Sequence, residues 1–401
     1  MTTEGIRRSQ EFLQTCEQAF IKDLVVLTSI DCGTDNKTGV DQIGTWVGQR
    51  ANEWEMDVNL LPQAECGDFL TATLRGQGKG KILLLAHMDT VYPSGTAASR
   101  PTRIEGNKII GPGTSDMKSC LLAGLYAMRA LQVEGFSDFE EITLFCSSDE
   151  ETGSIYSSPV YEKEAKKADV VLVLESAREN GDIVSSRKGI GNFIFEIQGQ
   201  AAHAGVNPKR GVNAITEMGY LIINLDRKMQ EMQQDYPGIT INPGAINGGT
   251  KANVVPDLTR LEIDVRVTNT HEQKLAQDLL DKLTDNRVNP KTSIKRTGRF
   301  TRFPWTKTPA TAFLVEQAIH VAEEIGIQLE DTATGGASDA NIIAKLGIPV
   351  LDGLGPIGGN SHSSDEYVLK ASIIPRTIML TSLLKRIIKY REQILEANRT
   401  S

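Results

Sequence analysis

Residues Lys81-Ile82-Leu83-Leu84-Leu85-Ala86 lead through an unbroken apolar run into His87 and, two residues later, Asp89. So short a run, without polar alternation, reads as a strand buried on both faces, as in a parallel sheet. In open α/β sheets, ligands sit just beyond the carboxyl ends of the strands. A histidine with a carboxylate to orient it, placed there, is what a metal site asks for.

The design recurs. Glu141–Cys146 is a second buried run, leading into Ser147-Ser148-Asp149-Glu150-Glu151-Thr152-Gly153, and Asp169–Leu174 is a third, ending at Glu175. Phe69–Arg75 alternates and is expected as a strand near Ile82–Ala86. Helical patterns fall over residues 1–30, Asp41–Trp54 and Lys118–Leu131. Asp31–Val40 reads as a turn-rich loop, and Val91–Gly113 as a Gly/Pro-rich connection of the kind that carries function. Strand and helix alternate throughout, which argues for an α/β fold with a doubly wound, mostly parallel sheet.

The texture changes near Ser185. Asn192–Gln198 alternates, Gly211–Met232 is a long amphipathic helix, and Ile239–Ile246 and Leu258–Val267 read as antiparallel strands around Gly248-Gly249. His271–Thr284 is helical and Thr292–Thr297 a last strand. The order β-α-β-β-α-β is that of a ferredoxin-like α+β module. Past Arg299 the α/β pattern returns: Ala310–Ile325 and Ala337–Leu346 are helical, Ile348–Leu351 is a buried strand, and Ser372–Asn398 a closing helix. The expected division is therefore 1–184 and 300–401 for one domain, with 185–299 inserted into it.

Composition narrows the function. At 401 residues, 40% hydrophobic and 23% charged, the chain is of ordinary globular type. A net charge of -8 and scattered Lys and Arg argue against a nucleic-acid surface. The five cysteines show no paired or metal-finger spacing and suit a reducing compartment. No window approaches the roughly 18 apolar residues of a membrane span. The first thirty residues mix Glu4, Arg7, Arg8, Glu11 and Glu17 among apolar positions, unlike a signal peptide. A soluble, cytoplasmic protein with no membrane or nucleic-acid partner is expected.

Of the five histidines, His271 and His320 lie in polar helical settings. His87, His203 and His362 instead lie in Gly/Ala- or Ser-rich loops. Asp116, in Gly113-Thr114-Ser115-Asp116-Met117-Lys118, could cap the helix that follows. The adjacent Glu150 and Glu151 repel one another unless a cation or proton lies between them. Glu175 ends a wholly apolar run, where a lone carboxylate is expensive. Two histidines and three carboxylates make an N/O donor set for a pair of zinc ions. Such a pair activates water and polarises a carbonyl, and the spare carboxylate of the Glu150-Glu151 pair can supply the base. Nothing resembles a phosphate-cradling loop, which argues against a phosphoesterase.

The succession His87-Met88-Asp89-Thr90-Val91, Gly-Thr-Ser-Asp116-Met-Lys, Asp149-Glu150-Glu151-Thr-Gly-Ser, Glu175, Ala-His203-Ala-Gly and Ser-His362-Ser resembles the M20 metallopeptidase family. The resemblance covers nearly the whole chain, in order. It implies a dizinc peptidase domain interrupted by a lid and dimerisation domain, with two Zn2+ per chain for which Co2+ or Mn2+ can substitute. His87 would bind one ion with Glu175, His362 the other with Glu151, and Asp116 would bridge. Glu150 would be the general base and Asp89 would orient His87. In the family the histidine at the place of His203 reaches the partner subunit of a homodimer and steadies the oxyanion. Asn253, Arg266 and Gly336 match positions that meet the substrate, and an arginine suits bidentate binding of a carboxylate. Ser119 and Cys120 depart from the Gly-Gly common there, a change of packing between small residues.

The activity so implied is hydrolysis of an amide next to a free amino-acid carboxylate, in a small peptide or an N-acyl amino acid. Glu175, where the aminopeptidase branch tends to have Asp, leans toward the carboxypeptidase side, nearest to glutamate carboxypeptidase. The alternative is an N-acyl-amino-acid deacylase of the acetylornithine deacetylase or succinyl-diaminopimelate desuccinylase type. A non-catalytic relative would have lost a ligand or the base, and none is missing.

Overall fold

The computed structural model describes residues 3–400, with side chains from Arg8 onward. Met1, Thr2 and the side chains of Glu4 and Arg7, all part of the expected N-terminal pattern, lie outside the described residues. The chain divides into two compact units. One runs up to Ser186 and includes Lys307–Ala333 and the chain from Ser338; the other is Arg187–Thr306 with Thr334–Ala337.

The first unit is built on a sheet with strands in the order Asp57–Leu61, Phe69–Arg75, Glu141–Ser147, Lys81–His87, Val170–Val173 and Val350–Leu351. The first two pairings are antiparallel and the remaining three parallel. Lys81–His87 has parallel neighbours on both sides, and Ile82–His87 is buried throughout. That is the physical reason for its unbroken apolar run: neither face meets water. Phe69–Arg75 is one strand further away than expected, pairing with Glu141–Ser147 and the edge strand Asp57–Leu61.

Helices on either side of these strands in the chain share one apolar core. Leu24 and Leu27, Ile43 and Val47, Leu121 and Leu125, Leu314 and Val321, and Leu380 and Leu384 join Leu84, Leu144 and Leu172. Residues 3–28 form two helices, Thr3–Thr15 and Glu17–Thr28, where one was expected. The Thr15 hydroxyl donates to the Phe12 carbonyl (2.7 Å), a local bond that competes with the helical ladder. The next helix, Lys37–Glu53, starts inside the expected loop because the Asn36 side chain accepts from the Gly39 amide (3.1 Å) and caps it. The C-terminal helical stretch likewise breaks at Tyr390 into Lys370–Lys389 and Arg391–Arg399. All five cysteines are buried and unpaired.

The second unit runs strand Gly189–Gln198, helix Ala214–Asp235, strands Thr240–Gly248 and Leu258–Val267, helix Thr270–Asp285 and strand Ser293–Arg302. Its antiparallel sheet has the order Thr240–Gly248, Leu258–Val267, Gly189–Gln198, Ser293–Arg302. Burial alternates along the two central strands, and Phe193, Phe195, Leu261 and Ile263 pack with Met218, Leu225 and Leu280 of the two helices. One face of the sheet is thus covered by helices. Thr240–Gly248 is an edge, with a bulge between Pro243 and Ala245 and only Ile241 buried. Among the described residues no helix is long and apolar enough to cross a membrane.

Candidate metal centre

Every side chain of the cluster lies at or just beyond the end of a strand or in a loop of the first unit. His87 is the last residue of Lys81–His87, and its Nε2 lies 3.1 Å from Asp116 Oδ1 and 3.8 Å from Glu175 Oε1. Nε2 of His362 lies 3.2 Å from Asp116 Oδ2 and 3.2 Å from Glu151 Oε2. The two oxygens of one carboxylate therefore each face a different imidazole. Asp116 does not cap the helix Ser119–Glu134, whose cap position is Lys118, with no side-chain bond to the first helical amides. His362 sits in the left-handed region at φ 65°, two residues after Asn360 at φ 56°, in a tight loop that delivers its ring.

Asp89 faces the ring of His87 and also ties two other segments together. His87 Nδ1 meets the Asp89 backbone carbonyl at 3.0 Å, and the Asp89 carboxylate only at 3.4 Å. That carboxylate also accepts from the amides of Glu150 and Glu151, both at 3.2 Å, and from the Thr34 hydroxyl at 2.6 Å. It fastens the turn bearing the paired glutamates to the loop bearing His87. Thr34 lies in the stretch Asp31–Val40, expected as a turn-rich loop, and no sequence signal marks it.

Each charge in the cluster is set by its neighbours and by burial. Desolvation would lower His87, yet its bonds to Asp116 and Asp89 raise it well above the usual imidazole range. Asp116 and Glu151 push His362 up to about 10. Desolvation works against Asp116, but His362 and His87 hold its carboxyl below the ordinary carboxylate range. Desolvation, followed by the neighbouring Asp339, lifts Glu150 well above it, and desolvation also raises Glu151.

These residues fit divalent ions. Donors bound to one tetrahedral ion at about 2.0–2.2 Å stand about 3.3–3.6 Å apart. The spacings of 3.1–3.2 Å between the imidazole nitrogens and the oxygens of Asp116 and Glu151 are close to that. Donor atoms of His87, Asp116 and Glu151 all lie within 4.8 Å of one another. The second carboxylate oxygen of Glu151 is buried with no hydrogen-bond partner, a costly state that a cation relieves.

Glu366 and Tyr92 were not anticipated. The buried Glu366 carboxylate accepts from the amides of Gly113, Ser115 and Asp116 at 3.0, 2.8 and 2.9 Å. The Tyr92 hydroxyl lies 2.7 Å from the same carboxylate. Adjacent acids at Asp365 and Glu366, just before the apolar Tyr367–Leu369, were the available signal. Gly113 at φ 75° lets these amides turn inward, and a Cβ on it would lie 2.9 Å from the Thr90 methyl group.

The other anticipated residues belong to the second unit. His203 ends the strand Ala202–His203, which pairs with Val254–Val255, and its Nδ1 accepts from the amides of Gly205 and Val206 at 3.2 and 3.1 Å. The neutral ring therefore carries its proton on Nε2. The Asn253 carbonyl accepts from Ala204 (3.0 Å), which keeps those two loops side by side. Arg266 is held by the Asp264 carboxylate at 2.8 and 2.9 Å, with a third N–H on the Gly335 carbonyl at 3.4 Å. The Gly336 carbonyl accepts from Arg187 (3.1 Å). His271 and His320 are exposed and engage the Tyr236 hydroxyl and the Glu316 carbonyl.

The chain is similar to several known proteins. Carboxypeptidase G2 of Pseudomonas sp. strain RS-16 is 30% identical over 92% of this chain and 89% of its own length. Acetylornithine deacetylase of Buchnera aphidicola is 25% identical over 95% of this chain and 99% of its own length. The fold matches a Bacillus subtilis dinuclear metal-binding peptidase of the M20 family with a TM-score of 0.71 at 11% identity, over 94% of this chain and 99% of that one. Residues 83–386, which span the whole cluster and all of the second unit, match peptidase family M20/M25/M40, and the chain belongs to that family of metal-dependent hydrolases.

Proposed function

We propose that the protein is a dizinc hydrolase that cleaves an amide bond next to a free amino-acid carboxylate, in the manner of a glutamate carboxypeptidase. The observation that carries this reading is the Asp116 carboxylate set between the two imidazoles, with Glu150 and Glu151 beside them. His87, Asp116 and Glu175 would hold one ion, and His362, Asp116 and Glu151 the other. The N/O donor set suits zinc, with Co2+ or Mn2+ as substitutes. When bound, the ions polarise the amide carbonyl and acidify water.

Glu150 takes the proton of the attacking water and returns it to the leaving nitrogen. Its raised pKa in the metal-free chain is consistent with a carboxyl able to hold that proton. Asp89 holds Glu150 and Glu151 in place through their amides. His203, with its proton on Nε2, is suited to donate to the oxyanion. Arg266 and Asn253 would receive the substrate carboxylate, with Gly336 alongside. Three of the five N–H groups of Arg266 are already engaged, so it would bind through those that remain.

The second unit, close to the expected insertion 185–299, would act as lid and dimerisation domain. The edge strand Thr240–Gly248, with Ile246 exposed, and the exposed Tyr220 and Ile223 of the neighbouring helix offer a two-fold surface to a second copy. Five unpaired cysteines suit a cytoplasmic location. The likeness to acetylornithine deacetylase over almost its full length favours a second reading, deacylation of an N-acyl amino acid. A hydrolysis screen with zinc-loaded protein decides between them. Release of C-terminal glutamate from peptides supports the first reading, turnover confined to N-acyl amino acids supports the second, and inactivity on both sinks the pair.

A further inference from the structure

Glu366 is 1% exposed and its carboxylate is surrounded by donors: the amides of Gly113, Ser115 and Asp116 and the Tyr92 hydroxyl. A concave run of backbone N–H groups of this kind ordinarily receives an anion from outside. Here the anion is part of the chain, and its neighbours are informative. Tyr92 lies in the loop that follows His87, the three amides belong to the loop that ends in Asp116, and Glu366 follows His362 by four residues. The three segments that carry His87, Asp116 and His362 thus meet on one buried carboxylate.

Further bonds tighten the same knot. The Glu366 carbonyl accepts from the Gly111 amide at 3.2 Å and lies 3.4 Å from the Thr114 hydroxyl. The Tyr92 hydroxyl is also 2.8 Å from the Ser363 carbonyl, which Arg100 contacts at 3.2 Å while its guanidinium lies over the Tyr92 ring. Because one of the bonds to Glu366 comes from the amide of Asp116 itself, it fixes the backbone from which that carboxylate reaches both imidazoles. The carboxylate of Glu366 lends no atom to the cluster and acts only through the residues it holds.

We propose that Glu366 is a positioning residue that sets the spacing of the metal ligands by binding the Asp116 loop to the His362 and His87 loops, with Tyr92 as its second anchor. The inference rests on the reading of Asp116 and His362 as metal ligands. It assigns to an unanticipated residue control over metal affinity, separate from any part in bond cleavage.

The test is zinc binding by the metal-free full-length chain, measured by chelator competition well below the melting temperature, together with the visible spectrum of the cobalt-loaded protein. Glu366→Gln keeps the shape but turns an NH2 group toward backbone donors on one side. It is expected to weaken binding of at least one ion about 10- to 100-fold, the usual cost of losing a partner behind the ligands, and to alter the cobalt spectrum. A merely structural role would lower the melting temperature of the metal-free chain and leave both readouts unchanged in the folded variant; that result overturns the proposal. Should Glu366→Gln not fold, Tyr92→Phe, which removes a single hydroxyl, takes its place. Weaker zinc binding there supports the proposal, and wild-type affinity overturns it. If the wild-type chain itself bound no pair of ions, the ligand reading would fail and this inference with it, an outcome distinct from normal binding in the variants.

Discussion

The adjacent residues Glu150 and Glu151 are chemically identical and differ only in what surrounds them. Desolvation lifts both, but at Glu151 the bond to His362 at 3.2 Å opposes the lift, whereas at Glu150 the neighbouring Asp339 adds to it. Glu150→Gln is therefore expected to keep both ions and lose about 10²- to 10⁴-fold in rate, the worth of a general base. Glu151→Gln is expected to lower metal content instead; elemental analysis and turnover of the two variants check the pair, and a swapped outcome would reverse the assignment. A pH dependence follows from His362. Its pKa is raised from 6.5 to about 10, so the stability it gives the metal-free chain is complete below pH 6.5 and is lost as pH rises through 10. Melting of the metal-free protein should fall between pH 7 and 10, and His362→Ala should remove that part of the slope. Zinc affinity should rise across the same interval, because the ion displaces the proton. The cluster was legible in the sequence because each member leaves an apolar run or a Gly- or Ser-rich loop, where a polar side chain needs a reason. Thr34, Tyr92 and Glu366 were not, since what marks them is contact with distant backbone amides and carboxylates, and no local pattern encodes that.

Strands and helices of the core were legible for a related reason: burial on two faces, on one face or on a helical stripe leaves distinct periods in the chain. The β-α-β-β-α-β order of the second unit was plain from its alternating strands. Strand neighbours were less so, because Phe69–Arg75 alternates just as well beside Glu141–Ser147 as beside Lys81–His87. Helix ends failed where side chains make the decision. Asn36, read as part of a loop, caps Lys37–Glu53, while Thr15 bonds back to Phe12 where the first helix ends. Replacing Asn36 by Ala should cost about 0.5–2 kcal/mol, read as a shift in denaturant midpoint with metal stoichiometry intact. A larger loss, or a loss of metal, would mean that the cap also supports the loop that carries Thr34.

For the whole molecule the central expectation is a shared site between two copies. His203→Ala should lose about 100- to 1000-fold in rate while keeping its ions, as for removal of one oxyanion donor. Mixing His203→Ala chains with Glu150→Gln chains should restore activity, because one site of the mixed dimer then joins an intact base to an intact histidine. Subunit exchange without any return of activity would confine His203 to its own chain or remove it from catalysis. The placement of the thiols gives a different handle. All five cysteines are buried, and all lie before residue 147, in the first unit. A thiol reagent therefore reads the breathing of that unit alone and is blind to the other. Labelling should be negligible in the native protein and reach five equivalents in denaturant. Its rate at intermediate denaturant, set against loss of the overall helical signal, would show whether the two units open together or one at a time, with no label or mutation introduced.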